Sequence, residues 1–172
     1  AGTITYGGSC SSVTTSANSG NTTITLISLS DGTYSDCTVT VTDTASNSVT
    51  LNMSSFTIDT TAPVVSSFTL SDYIIKTDDN TVVTLVFSEA VASFSSADIT
   101  SPNGNLAAMT SSDNITWAGI FTPTANTQDW SNIFILTGSY TDTVGNTGPM
   151  ATTSPFMVDN INPFVSSFAL SS

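Results

Sequence analysis

The sequence contains no histidine and no arginine, and Lys76 is its single basic side chain. Without an imidazole, neither a Ser-His-Asp nor a Cys-His catalytic arrangement can be assembled. Zinc is held by His or Cys ligands, and the two cysteines present, Cys10 and Cys37, do not make a centre. Binding nucleic acid takes Lys and Arg to neutralise phosphates, and attraction to anionic lipid takes the same residues. A net charge of −12 removes both from consideration. There is no apolar run long enough for a transmembrane helix, so direct membrane insertion is not expected. No glycine-rich loop follows a strand in the manner of a phosphate cradle. A signal peptide is also lacking, and Ala1 reads as the start of a mature or excised fragment.

Charged residues make up 8% of the chain, against about 25% in ordinary globular proteins. More than a third of the residues are instead Ser or Thr. Thr suits a half-buried pleated surface, and 39% hydrophobic content is enough for a core. Residues 22–29 (TTITLISL), 34–42 (YSDCTVTVT), 81–87 (TVVTLVF), 115–122 (ITWAGIFT) and 133–140 (IFILTGSY) read as strands bounded by Gly, Asn, Asp, Ser or Pro. Asn103-Gly104 reads as a hairpin turn. No segment sustains a helical period. The expected class is all-β.

An internal repeat organises the chain. Residues 54–70 (SSFTIDTTAPVVSSFTL) recur as 153–170 (TSPFMVDNINPFVSSFAL), matching Asp59 to Asp159 and Pro63 to Pro163. Residues 43–47 (DTASN) recur as 142–146 (DTVGN). The period is about 100 residues, the size of one two-sheet sandwich domain, and a fixed period marks an array. Four segments follow: residues 1–59 as the C-terminal part of a module lacking its opening strands, 60–63 as a Pro-stiffened linker, 64–159 as a complete module, and 160–172 as a linker plus the first strand of a following module.

Asp31-Gly32-Thr33-Tyr34, an alternating strand and then 42–47 (TDTASN) resemble the end of bacterial Ig-like repeats. Phe87-Ser88-Glu89-Ala90-Val91, 117–123 (WAGIFTP) and 140–146 (YTDTVGN) resemble a companion repeat type. Both are similar to the tandem repeats of large bacterial surface adhesins and biofilm-associated proteins. The one departure is Ser46, which stands where Gly145 stands in the second copy. The resemblance implies tandem Ig-like antiparallel β-sandwiches, an extracellular or cell-surface location and calcium at module junctions. Tyr34 resembles a tyrosine corner, whose hydroxyl bonds back to the backbone.

In a chain of this composition Cys10 and Cys37 are expected to form a disulfide, which requires an oxidising compartment. A reactive thiol pair is the alternative. Thirteen acids with one basic partner must be solvated or bound to cations. Following strand direction through the second module brings Glu89, Asp98, Asp142 and Asn146, with Asp113 nearby, to its linker end. The same parity puts Asp31 and Asp59 at the far end of the first. Oxygen ligands of this kind suit calcium. The bland alternative is that the acids keep the surface soluble and the Asp-x-x-x-Asn loops are ordinary turns. A pair of carboxylates could hydrolyse glycosides, but solvated acids account for the same residues, and an enzyme is not expected.

The leading reading is a structural spacer whose partners are neighbouring modules. A carbohydrate- or receptor-binding module, with host or matrix glycans as partners and Trp130 as the better exposed aromatic, is the first rival. A filament subunit joined by strand addition is the second.

Overall fold

Thr or Ser alternating with Val and Leu, as in residues 38–42 and 48–51, gives a strand one hydroxylated and one apolar face. The computed structural model describes residues 1–170, and they contain no α-helix. Contacts divide the chain between Thr61 and Ala62, within the segment 60–63.

The first unit has six strands: β1 (Gly2–Gly7), β2 (Ser16–Ala17), β3 (Gly32–Tyr34), β4 (Thr38–Asp43), β5 (Ser48–Asn52) and β6 (Phe56–Ile58). Four form an antiparallel sheet in the order β2-β1-β4-β5, while β3 pairs with β6. Its buried apolar residues are few: Ile4 and the bonded pair Cys10 and Cys37. The disulfide joins residues 27 apart, as expected. The Tyr34 hydroxyl donates to the Ser30 carbonyl at 2.7 Å and the ring stacks on Phe56 at 5.4 Å, a tyrosine corner in substance.

Two sequence expectations change here. Residues 22–29 are not a strand; Leu26 makes only an isolated bridge to Ser12. That segment lies inside the disulfide loop, where no neighbouring strand offers a second ladder, and a lone extended segment is not stable in water. Residues 34–42 are not one strand either. The chain leaves the β3–β6 pair at Ser35 and joins β1 at Thr38, with Cys37 bonded at the crossing.

The second unit holds β7 (Val65–Leu70), β8 (Ile74–Lys76), β9 (Thr81–Phe87), β10 (Val91–Ala92), β11 (Ile99–Thr100), β12 (Gly104–Leu106), β13 (Thr116–Pro123), β14 (Gln128–Asn132), β15 (Ile135–Leu136), β16 (Thr141–Asp142), β17 (Ala151–Thr152) and β18 (Phe156–Asp159). One sheet runs β12-β13-β9-β7; facing elements form β14-β18-β8, β11-β15-β17 and β10-β16. β9 alternates buried Val83, Leu85 and Phe87 with more exposed neighbours. These residues meet Phe121, Phe134, Phe156 and Tyr140 in one core. Phe134 lies 5.0 Å from Phe121 edge-on and 5.2 Å from Phe156 stacked, arrangements that add to simple area burial. Gly148 has the Tyr140 ring where a side chain would begin, within 2.5 Å of an added Cβ.

The β8–β18 pair is parallel, an exception to an otherwise antiparallel ladder. β7 pairs with β9, the chain kinks at Ser71-Asp72, and β8 crosses to the other sheet still heading in the same direction. The Asn103-Gly104 turn is not a hairpin: β11 pairs with β15 and β12 with β13, so the turn carries the chain between sheets, with Asn103 at φ 43. Residues 133–140 shorten to β15, beyond which the Thr137 amide and hydroxyl both donate to the Asp98 carbonyl. Residues 161–170 make no ladder and are exposed; Ser171 and Ser172, at the end of the expected following strand, lie outside the described residues.

Candidate functional site

The acids expected at the linker end of the second unit are set there by β9, β13 and β16. β7 and β9 are antiparallel, and the Val64 amide donates to Ser88 Oγ at 3.0 Å. Glu89, two residues past the end of β9, therefore lies beside the start of β7. β10 then pairs Val91 with Asp142. The carboxylate oxygens of Glu89 and Asp142 come within 4.8 Å of each other.

Asp142 is 2% exposed, yet its charge is well supplied with donors. Oδ1 accepts from the amides of Val144, Gly145 and Asn146, and Oδ2 accepts from Asn146 Nδ2 at 2.7 Å. Burial works to raise its pKa. The bonds from the Asn146 side chain and amide, then Val144 and Gly145, outweigh that, and the group ends below the usual carboxylate range. With three amides on Oδ1, a cation can be met only through the remaining lone pair of Oδ2. Asn146 is thus a clasp on Asp142.

Asp43 and Asn47 repeat this clasp in the first unit. Asp43 Oδ1 accepts from the Ala45 and Asn47 amides at 2.8 Å, and Oδ2 from Asn47 Nδ2 at 3.0 Å. The Asn47 side chain and amide hold the Asp43 pKa down. Ser46 takes the left-handed φ of 65 where Gly145 has 105, so the departure in sequence does not alter the turn. The clasps are Asx-type turns.

The other expected ligands have local partners. Asp31 receives the Thr60 hydroxyl and amide and the Thr61 hydroxyl, in that order the causes that lower its pKa, and so closes the end of the first unit. Asp59 accepts from the Thr61 amide at 3.0 Å. Asp98 closes a capping box with Ser95 on a single 3₁₀ turn and accepts from Ser139. Asp113 accepts from the Thr116 and Ile115 amides and Ser111, which lower its pKa. Strand direction does not report these local amide and hydroxyl partners, which depend on turn geometry.

Trp117 sits edge-on to Phe94 at 4.9 Å as part of the core's margin. Trp130 is 56% exposed on β14.

A family model described as a bacterial Ig-like domain matches residues 59–158, more than half of the chain. No curated protein and no solved structure matches it.

Proposed function

Since the chain belongs to the bacterial Ig-like domain family, we propose that it serves as spacer repeats of a large extracellular adhesin or biofilm-matrix protein. The observation that carries this is the recurrence of one construction a module apart. The Asp43–Asn47 and Asp142–Asn146 clasps use the same atoms in each unit. A spacer needs a repeated fold and no reaction centre, and the clasps fix turns rather than activate a substrate. Antibody labelling of intact producing cells tests the placement. Surface labelling that survives removal of these residues from the full protein, with the display merely shortened, is the expected result; loss of binding activity with full reach retained would contradict it.

The reading includes calcium at the linker end of the second unit, with Glu89 and Asp142 among its ligands. Glu89 and Asp142 supply the support: two carboxylates within 4.8 Å repel, and a hard cation converts repulsion into coordination. Binding to the folded form alone would add about 2.7 kcal/mol at a hundredfold excess over Kd. Melting of the second unit with calcium or chelator tests this. Chelation is expected to lower that unit's Tm, Glu89→Ala to mimic chelation, and Asp129→Ala to leave Tm unchanged. Identical curves with and without chelator would end the calcium reading.

A glycan-binding role is favoured by Trp130 alone, an exposed indole on a sheet next to Gln128. Binding to a glycan panel that Trp130→Ala abolishes would establish that reading in place of the spacer.

A further inference from the structure

The first unit leaves part of a sheet face uncovered. β5 ends its sheet, pairing only with β4 among the described residues. The register aligns Ile4, Val41 and Val49 in one row, and Tyr6, Val39 and Leu51 in the next. Cover thins along both rows. Ile4 is buried, Val39 and Val41 are half-buried, and Val49 and Leu51 are 58% and 65% exposed. The opposite face is hydroxylated, with Thr40 and Thr50 bonded at 2.7 Å. Natural edge strands are commonly blunted by a charge, a proline or a bulge. β5 has none of these.

The segment after β18 has the complementary features. Residues 165–170 (VSSFAL) differ from β7 (VSSFTL) at one position. In the second unit that pattern forms a strand on β9 and buries Phe68 and Leu70. Its duplicate makes no ladder, and Phe168 and Leu170 are 85% and 88% exposed. Charge points the same way. Neither residues 44–58 nor residues 160–172 contain any of the thirteen acids. Copies of a chain with net charge −12 repel one another, and a contact between these two uncharged segments sets no carboxylates side by side.

We propose that residues 165–170 of one copy add as a strand to the free edge of β5 in a second copy, extending the two apolar rows with Phe168 and Leu170. Main-chain bonds along the edge give affinity, and the alternate side chains set register. Donor and acceptor are different surfaces, so the contact is head-to-tail and continues as an open series. This goes beyond the spacer reading and does not depend on an ion.

Sedimentation velocity of the 172-residue chain from low to high micromolar concentration tests it. The expected result is a concentration-dependent series of oligomers, unchanged by chelator. Removing residues 164–172 leaves the acceptor without a donor, and Leu51→Lys leaves the donor without an acceptor; each variant alone should be monomeric. Mixed together they should form a heterodimer and stop there. Should Leu51→Lys unfold the first unit, seen as loss of its melting transition, Val49→Thr replaces it. A full chain that stays monomeric, as when the segment serves a following module, would overturn the proposal. So would oligomers that persist in both variants, or a mixture that fails to pair.

Discussion

The two units reach a folded state by different means. The second buries a run of aromatics, Phe87, Phe121, Phe134, Tyr140 and Phe156, between sheets. The first buries Ile4 and a disulfide, and leaves Val49 and Leu51 of its edge strand open. Small domains with too little apolar core are usually supported by cross-links. Here both solutions occur in one chain, next to a turn that is the same in both. The clasp motif is therefore separable from the way the core is held.

The largest effect should come from cutting into the aromatic core. Phe134→Ala removes a fully buried ring in contact with three others and is expected to cost about 3–5 kcal/mol. Urea melts should show that loss in the second unit, with the first unit's midpoint unchanged. A loss shared equally by both units would mean that the cores are not separate.

Next comes the cross-link. Cys10→Ala with Cys37→Ala should destabilise the first unit by about 2–4 kcal/mol and leave the second as it was. Tryptophan fluorescence follows the second unit, since Trp117 and Trp130 both lie in it, so a shift of its unfolding midpoint would break the distinction.

The clasps sharpen the comparison, because the same atoms sit in different surroundings. Asp142→Ala strands the Val144, Gly145 and Asn146 amides in a buried turn, and Tm should fall by roughly 4–8 °C. Asp43→Ala exposes its amides to water and should do less. Both carboxyls have folded pKa values below the unfolded one. Their contribution is therefore present above the unfolded pKa of about 3.9 and lost as pH falls through the lower folded value. Tm should hold from neutral pH down to the unfolded value and drop below it; in each Asp→Ala variant that acid-side drop should be smaller. An acid-side profile that the variants leave unaltered would show that the clasps do not couple to stability.

The smallest effect is expected at Ser46. A left-handed residue other than glycine costs about 1–2 kcal/mol, part of which the turn's hydrogen bonds offset. Ser46→Gly should raise the first unit's stability by up to about 1 kcal/mol, read from the urea midpoint. A decrease would mean that the Ser46 side chain itself contributes.

Much of this was legible before the structure. The alternation in 81–87 and 115–122 gave β9 and β13 almost to the residue, since period-2 patterning records burial directly. The repeat located the division at 60–63, and Tyr34 after Asp31-Gly32 gave the corner. The disulfide followed from composition, although nothing in it said that the bonded pair would be the centre of a small core. What failed depended on neighbours. Residues 22–29 have strand-forming side chains but no ladder to join. Residues 34–42 change partner midway, residues 133–140 form a ladder only over β15, and sequence propensity does not report pairing. Strand direction assigned the acids to one end, but the amides and hydroxyls that several of them accept from depend on turn geometry that strand patterning does not report.

The chain is expected to unfold as two units, one held by its disulfide and the other by its aromatic core. Differential scanning calorimetry of the intact chain, with and without reductant, tests it most directly. Two transitions are predicted, of which reductant lowers only the one assigned to the first unit. A single transition that moves as a whole on reduction would contradict it.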